Sequence, residues 1–254
     1  MQPVPVLVTG ASGFLGAHLV RALLAAGCRV DAVSRRAQPA GVGNLRWWQA
    51  DLAIPGESER VLAGARPEIV FHLASLVTGK RELDFVLPAF QANLESTVRL
   101  LAAASAPQTS CRRIVVAGHS AGGHLVGAIF AASRECFAFD LARIAGGVPI
   151  SGLFDFSPMP LFSGNADFRL DAASARALDL HDKRPTIAAP LVVAVGGDES
   201  GEFIRQSCLL ADRWAPQARE LQILAGLNHF SVLEALAERG QPLHEATLAL
   251  FHAV

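Results

Sequence analysis

The sequence of 254 residues contains no tyrosine, which excludes any proton transfer by a phenolic hydroxyl. It also lacks a long hydrophobic run, since none approaches the ~20 apolar residues that a membrane-spanning helix needs. Its few cysteines have neither the spacing of a zinc site nor that of a redox pair. We therefore expect free thiols in a reducing compartment at Cys28, Cys111, Cys136 and Cys208.

An excess of one charge is lacking as well, because 22 basic and 23 acidic residues give a net charge of −1. This balance offers no electrostatic case for nucleic acid or an anionic membrane as a partner. The chain does not open with a basic segment followed by an apolar stretch. We therefore expect no signal peptide and a cytoplasmic location.

Apolar strands alternate with amphipathic helices along the chain, which is the pattern of a parallel sheet covered on both faces. Helices are predicted at 14–26, 88–104, 122–132 and 203–214. Strands are predicted at 4–9, 29–34, 45–50, 68–74, 114–117, 144–150, 191–195 and 220–224. The pattern predicts an α/β fold, three-layered and doubly wound, with a mainly parallel sheet.

A glycine-rich turn follows the first predicted strand, in the sequence TGASGFLG at residues 9–16. Its three glycines permit a tight turn and a close approach of the backbone to a pyrophosphate, which then faces a helix N-terminus. A second interpretation is that the glycines only permit the turn. For cofactor binding, the turn supplies Gly10, Ser12, Gly13, Phe14, Leu15 and Gly16.

The second strand ends in Ser34-Arg35-Arg36, with no acidic residue at its tip. An acid there would bind the ribose 2′-hydroxyl of NAD, whereas an arginine suits the 2′-phosphate of NADP. We therefore expect Arg35 to contact the cofactor and NADP to be favoured over NAD.

A second motif, GHSAG at residues 118–122, lies between a predicted strand and a helix, the context of a nucleophile elbow. A serine hydroxyl is a weak nucleophile that needs a histidine base, and the base needs an acid. Asp198 and His229 each follow a later strand, so the order Ser120, Asp198, His229 is that of α/β-hydrolases. Asp155 and Asp171 are rival acids that lack the strand-end glycines beside Asp198.

Residues 1–105 resemble the nucleotide-binding half of extended short-chain dehydrogenases/reductases. The resemblance rests on VTGASGFLG at 8–16, Asp51-Leu52, FHLAS at 71–75 and Asn93-Leu94. It implies that Asp51 and Leu52 contact adenine and that Ala74 lies along the cofactor. The family's catalysis uses a Tyr-x-x-x-Lys pair, so a chain without tyrosine cannot be a dehydrogenase by that mechanism.

Residues 113–254 resemble α/β-hydrolases, most closely the arylformamidase-like group, through HSAGGHL at 119–125, ISGLFD at 150–155, PLVVAVGGDES at 190–200 and LNHF at 227–230. The resemblance implies Ser120 as nucleophile, His229 as base, Asp198 as orienting acid and the Ala121 N–H as an oxyanion donor. The group's early His-Gly-Gly oxyanion loop is absent, which predicts slow turnover because one lost donor costs ~10²–10³ in rate.

Neither half has a complete sheet, so we predict one domain over 1–254 in which a Rossmann-like half (1–112) joins a hydrolase-like half (113–254). Its strand order would be 3-2-1-4-5-6-7-8, which leaves no long uncovered edge between the halves. In the dehydrogenase family the strand after the fourth also runs into a serine region, and its VV-x-x-x-S pattern overlays residues 115–120. A junction at equivalent strands suggests a chimera of engineered or recombined origin.

Three functions remain open at this point. The first is a weak, esterase- or amidase-like serine hydrolase that needs no cofactor and acts on a small ester or amide. The second is a module that binds NADP, or NAD, without turnover. The third is a chimeric fold without a working site. No metal ligands are predicted, and the sequence does not specify an oligomeric state.

Overall fold

The computed structural model describes residues 3–76, 83–106, 113–136 and 141–252, and the chain divides into two compact units, Met1–Arg112 and Arg113–Val254. The strands in these ranges are β1 (Pro5–Thr9), β2 (Arg29–Ser34), β3 (Leu45–Gln49), β4 (Ile69–His72), β5 (Ile114–His119), β6 (Ile144–Ile150), β7 (Leu191–Gly196) and β8 (Ala218–Leu224). The α-helices are α1 (Phe14–Ala25), α2 (Glu57–Ala65), α3 (Val86–Phe90), α4 (Ser96–Ser105), α5 (Ala121–Ala131), α6 (Asn165–Phe168), α7 (Ala172–Leu178), α8 (Gly201–Arg213), α9 (Glu234–Ala237) and α10 (Pro242–His252).

The first unit is built on a parallel four-stranded sheet in the order β3-β2-β1-β4. The central strand β1 is almost wholly buried, as expected for a parallel strand that is covered on both faces. Val6 and Val8 point into a core that also contains Val20 of α1 and Val30 of β2. This places the loops after β1, β2 and β4 together at the carboxyl edge of one sheet.

The second unit contains a parallel sheet in the order β5-β6-β7-β8. Side chains alternate along β7: Leu191 and Val193 pack with Trp214 beside α8, whereas Val192 and Ala194 pack on the opposite face with α10. The period of two sends alternate residues into separate cores. The unit is therefore three-layered, with its loops after β5, β7 and β8 at one edge.

The α/β class, the parallel pairing and the strand neighbours predicted within each half are confirmed. The described strands form two sheets of four, whereas we expected one sheet in the order 3-2-1-4-5-6-7-8. That expectation rested on the cost of an uncovered strand edge. In the structure β4 is only four residues long, and its side chains and most of those in β5 are half-buried, as suits edge strands.

Two predicted boundaries move for clear physical reasons. Strand β4 ends at His72 because Thr9 Oγ1 accepts the N–H groups of Leu73 and Ala74, at 3.1 and 3.2 Å. The helix predicted from Pro88 starts at Val86, so that Pro88 lies in the first turn, where a missing N–H leaves no bond unmade. It continues through a π-helical segment at Gln91–Glu95 into α4.

The described residues also bear on two expectations, on membrane-spanning helices and on the cysteines. No helix there combines the length and apolar character that crossing a bilayer requires. Cys28 and Cys208 are free thiols, as predicted. Cys111 and the side chain of Cys136 lie outside the described part of the chain.

Candidate functional site

The turn after β1 requires glycine because other backbone atoms approach it closely. Gly10 has φ +64°, and a Cβ placed there would lie 2.7 Å from Ala74 N and Leu73 C. A Cβ on Gly16 would lie 2.2 Å from Gly10 O, which is far inside van der Waals contact. Gly10 thus lets the loop after β4 close over the turn, and Gly16 lets α1 pack against it.

A cleft of about 260 Å³ opens above this turn at the carboxyl edge of the first sheet. It is lined by most of the predicted cofactor residues: Gly10, Ser12, Gly13, Arg35, Asp51, Leu52 and Ala74. Gly16 supports the turn from within α1 rather than lining the cleft. Phe14 and Leu15 open α1, and their side chains lie outside the described part of the chain.

Ser34 organises one end of this cleft. Its Oγ lies 3.0 Å from Ser12 Oγ and accepts the backbone N–H of Arg36 at 3.2 Å. Arg35 and Arg36 are exposed beyond it, and their guanidinium groups form no hydrogen bond or ion pair with the described residues. Two unpaired cations therefore border a cleft whose β2 tip carries no acid.

The acid on the next loop has a local structural role. Asp51 follows β3, is half-buried, and accepts the N–H of Ala53 at 3.1 Å. Its neighbour Leu52 is buried, so the pair gives the cleft a firm polar and apolar wall.

A directed chain of hydrogen bonds joins β1, β4 and α4 beneath the cleft. Thr97 Oγ1 donates to Asn93 O at 2.7 Å, so it must accept the Nε2–H of His72 at 2.8 Å. His72 Nδ1 then accepts from the Thr9 hydroxyl at 2.7 Å. Only a neutral imidazole can accept the Thr9 hydroxyl at Nδ1 while it donates its Nε2–H to Thr97. Burial lowers the pKa of His72 to about 4.

Ser120 lies between β5 and α5 in a backbone conformation that residues other than glycine rarely adopt, with φ +57° and ψ −116°. Its N–H donates to Ile150 O at 2.9 Å, and its own carbonyl accepts His124 N–H at 3.2 Å. The sharp strand-to-helix turn is thus held at both ends. A strained serine at this position has the geometry of a nucleophile elbow.

Glycines on either side relieve the crowding around the serine. A Cβ on Gly118 would lie 2.2 Å from Gly122 O, and one on Gly123 would lie 2.8 Å from Ile150 O. Gly122 itself has open space around it. Gly118 and Gly123 are therefore required by close packing, whereas Gly122 is not.

His229, the predicted base, contacts a carboxylate where the loops after β8 and β7 come together. His229 Nδ1 lies 2.6 Å from Glu199 Oε2, and the carboxylate side chain is 0% exposed. A carboxylate accepts hydrogen bonds, so Nδ1 carries a proton, and in the neutral imidazole Nε2 then has the lone pair. The phenyl ring of Phe203 covers one side of the imidazole, with ring centroids 4.6 Å apart. His229 is thus held in the tautomer of a general base.

The predicted acid Asp198 is displaced from this role by its neighbour. Asp198 is exposed, and its backbone N–H bonds to Leu227 O at 3.0 Å. After the turn through Gly196-Gly197, the side chain of Asp198 points to solvent and that of Glu199 points inward. Glu199 therefore contacts His229 in place of Asp198. A Cβ on Gly196 would lie 3.1 Å from Glu199 Oε1, which shows how closely this carboxylate folds back.

His119 brings the elbow and the base together. The His119 and His229 rings are 4.5 Å apart between centroids, and Ser120 follows His119 directly. Burial, followed by the nearby His229 imidazole, lowers the pKa of His119. Ser120 Oγ makes no hydrogen bond with the described residues. Ala121 opens α5, where the first N–H groups have no helical acceptor.

Comparison with known proteins shows that the first half of the chain is similar to one protein family. Residues 6–122 match the model of the "NAD dependent epimerase/dehydratase family". This part of the chain is similar to that family, and its first unit has a parallel sheet with the glycine turn of a Rossmann-like fold. The match ends at Gly122, so it includes β5 and Ser120.

Particular relatives agree with that similarity. The chain is 36% identical over 129 residues to UDP-glucose 4-epimerase 2 of Oryza sativa subsp. japonica, covering 46% of this chain and 31% of the relative. It is 39% identical over 108 residues to UDP-glucose 4-epimerase of Mycolicibacterium smegmatis, covering 39% of this chain and 34% of the relative. The chain therefore spans about a third of the length of the curated relatives that it matches.

One solved structure is similar over the entire chain. It is a protein from Silicibacter sp. TM1040 described as a "putative thioesterase", with a TM-score of 0.53 and 24% identity. The similarity covers 100% of this chain and 78% of that one. At this identity it shows a shared fold.

Proposed function

We propose that the first unit binds NADP in the cleft at the carboxyl edge of its sheet and performs no hydride transfer. The observation that carries this proposal is the meeting of Gly10, Gly13, Arg35 and Asp51 around one cleft at the start of α1. The pyrophosphate would lie against the glycine turn, where free N–H groups and the helix dipole favour an anion. The match to an NAD-dependent family supports the same site.

The preference for the phosphorylated cofactor rests on the end of β2. Arg35 and Arg36 are exposed there, with guanidinium groups that bond to no described residue, and Ser34 stands where an acid would bind a free ribose hydroxyl. A guanidinium pairs with phosphate through charge-assisted hydrogen bonds. The lack of tyrosine removes the proton donor of the family mechanism, so binding is not followed by reduction.

Titration calorimetry of the full chain with NADP and NAD tests this proposal. Arg35→Ser should weaken NADP binding about tenfold or more, because a hydrogen bond to a charged group contributes about 1.5–3 kcal/mol, and it should leave NAD binding unchanged. Arg21→Ser removes the same charge from the exposed face of α1 and serves as the control. No binding of either cofactor at millimolar concentration would reject the proposal.

The second unit supports a different candidate function, that of a serine hydrolase acting on a small ester or amide without a cofactor. Two specific observations favour it: Ser120 has the backbone of a nucleophile elbow, and His229 is paired with the buried Glu199. These groups stand at the carboxyl ends of β5, β8 and β7, where parallel sheets place their sites. The orienting acid in this proposal is Glu199 in place of Asp198.

The proposed chemistry follows from the proton positions. Ser120 Oγ attacks the ester carbonyl while His229 Nε2 takes its proton, and Glu199 stabilises the resulting imidazolium. The Ala121 N–H donates to the developing oxyanion. The imidazolium then protonates the departing alcohol, which leaves an acyl-serine that water hydrolyses by the same route in reverse. With a single identified donor, we expect turnover to be slow.

Hydrolysis of p-nitrophenyl acetate and labelling by a fluorophosphonate probe test the hydrolase candidate. Ser120→Ala should abolish both signals above the rate of the buffer. Ser133→Ala, which changes an exposed serine just after α5, should leave both unchanged. Equal ester hydrolysis by wild type and Ser120→Ala would reject this function.

We infer that the chain is a chimera of engineered or recombined origin. In support, the chain divides into two compact units between Arg112 and Arg113, and the epimerase/dehydratase match, over residues 6–122, ends soon after this boundary. A Rossmann-like turn and an elbow with a histidine–carboxylate pair then lie in separate units of one chain. Expression of residues 1–112 and 113–254 as separate polypeptides tests whether each half folds alone.

A further inference from the structure

The Glu199 carboxylate faces His229, and a buried serine at the end of the neighbouring strand donates to its other oxygen. Ser151 directly follows β6 and is 0% exposed. Its hydroxyl donates to Glu199 Oε1 at 2.5 Å, and the N–H of Gly196 donates to the same oxygen at 2.8 Å. Oε2 alone is left for His229 Nδ1. The two carboxylate oxygens thus have separate partners.

The backbone of Ser151 is itself unusual. Its φ is +49°, in the left-handed region that favours glycine, and its N–H donates to Ala194 O of β7 at 2.8 Å. A serine in this conformation costs about 1 kcal/mol relative to glycine. Strain of this kind persists where the surrounding structure holds the residue in place, and it occurs most often at functional sites. In this conformation the Ser151 hydroxyl donates its hydrogen bond to Glu199.

We propose that Ser151 is a positioning residue for the base of the second unit, acting through Glu199. This proposal rests on the hydrolase function proposed above for Ser120 and His229. The hydroxyl keeps Glu199 oriented, so that the imidazole stays in the tautomer that can accept the proton of Ser120. Ser151 touches neither the substrate nor the reacting atoms in this role.

Ser151→Gly separates positioning from a purely structural role. Glycine removes the hydroxyl but suits φ +49°, so relief of backbone strain should offset part of the cost of the lost hydrogen bond, and Ser151→Gly should be more stable to urea than Ser151→Ala. The kcat for p-nitrophenyl acetate should fall about 10- to 100-fold at unchanged KM, because a hydrogen bond to a charged group has been lost. Ser151→Ala, which keeps the strain, should show the same loss of kcat.

Proton NMR of the full chain supplies a readout that does not need activity. An imidazole N–H bonded to a carboxylate gives a far-downfield signal, which Glu199→Gln would assign. The signal should be present in the wild type and be lost or broadened in Ser151→Gly. Ser200→Ala is the control, because Ser200 adjoins Glu199 but is exposed and makes no cap hydrogen bond. Its signal and kcat should match the wild type.

The outcomes distinguish the two proposals. A wild type without the downfield signal, or a Ser151→Gly variant that keeps the signal and its kcat, overturns the positioning role. Lower stability with an unchanged signal assigns Ser151 a structural role and overturns it as well. If the signal responds to Ser151→Gly while wild type and Ser120→Ala hydrolyse the ester equally, positioning stands and the hydrolase function falls.

Discussion

His229 Nδ1 lies 2.6 Å from Glu199 Oε2, and this contact fixes the tautomer of the residue that we propose as the general base. The Glu199 carboxylate is shielded from solvent, and both of its oxygens accept hydrogen bonds. Asp198, one residue earlier, is exposed. Two adjacent acids after the same strand thus have opposite environments. Substituting each acid in turn therefore tests which of the two orients His229.

We predict that Glu199→Gln lowers the kcat for an activated ester about 10²–10⁴-fold, since an amide would favour the wrong tautomer of His229. Asp198→Asn removes the same charge from an exposed position and should leave kcat within about twofold of the wild type. Steady-state kinetics of both variants against Ser120→Ala measure the effect. A larger loss in Asp198→Asn than in Glu199→Gln would restore Asp198 as the acid.

The sequence pattern places His229 after the last strand, as the structure does, but it does not show which of two neighbouring acids faces the imidazole. The stretch GGDES at 196–200 offers two neighbouring carboxylates, and the local pattern treats them alike. The choice depends on how Gly196-Gly197 turns after β7 and on Ser151, a residue 48 positions away that donates to Glu199. Long-range donors of this kind leave no mark in the spacing of the motif.

Strand order shows the same division between local and long-range information. Apolar runs bounded by glycine predict β1 and β7 to within one residue at either end, because a buried parallel strand has a strong local pattern. The pairing of sheet edges is decided by contacts that no local run of residues encodes. This is why the neighbours within each half are predicted correctly while the single continuous sheet is not.

We predict that His72 makes the free energy of unfolding depend on pH. The folded pKa of His72 is about 4, below the ordinary value of 6.5, so the folded state disfavours the protonated form. Its contribution is complete above pH 6.5 and is lost as the pH falls from 6.5 toward 4. At about 1.4 kcal/mol per pH unit, the loss reaches at most about 3.5 kcal/mol.

Urea unfolding of wild type and His72→Gln between pH 4 and pH 7.5 isolates this effect from the titration of the carboxylates. The variant should be less stable than wild type at pH 7.5, and the difference should shrink as the pH falls. A difference that stays constant across this range would mean that His72 titrates normally in the folded chain.

The elbow glycines allow a matched pair of substitutions on one helix. A Cβ at Gly122 meets open space, so Gly122→Ala should stabilise α5 by up to about 1 kcal/mol through helix propensity. A Cβ at Gly123 would lie 2.8 Å from Ile150 O, so Gly123→Ala should destabilise the fold by about 2 kcal/mol or more. Thermal or urea unfolding of the two variants gives the comparison. Equal effects would show that α5 can shift away from β6.

Gly10 and Gly27 separate backbone strain from crowding in the first unit. Both have positive φ, +64° and +80°, so alanine costs each about 1 kcal/mol of left-handed strain. Around Gly27 there is room for a methyl group, whereas at Gly10 the new Cβ would lie 2.7 Å from the backbone of Leu73 and Ala74. Gly10→Ala should therefore destabilise the protein by about 2 kcal/mol more than Gly27→Ala.

Gly10→Ala should also abolish NADP binding, because the loop after β4 must move away from the turn that would hold the pyrophosphate. Urea unfolding and calorimetry on the same two variants measure both effects, and NADP affinity that Gly10→Ala leaves intact would place the cofactor elsewhere.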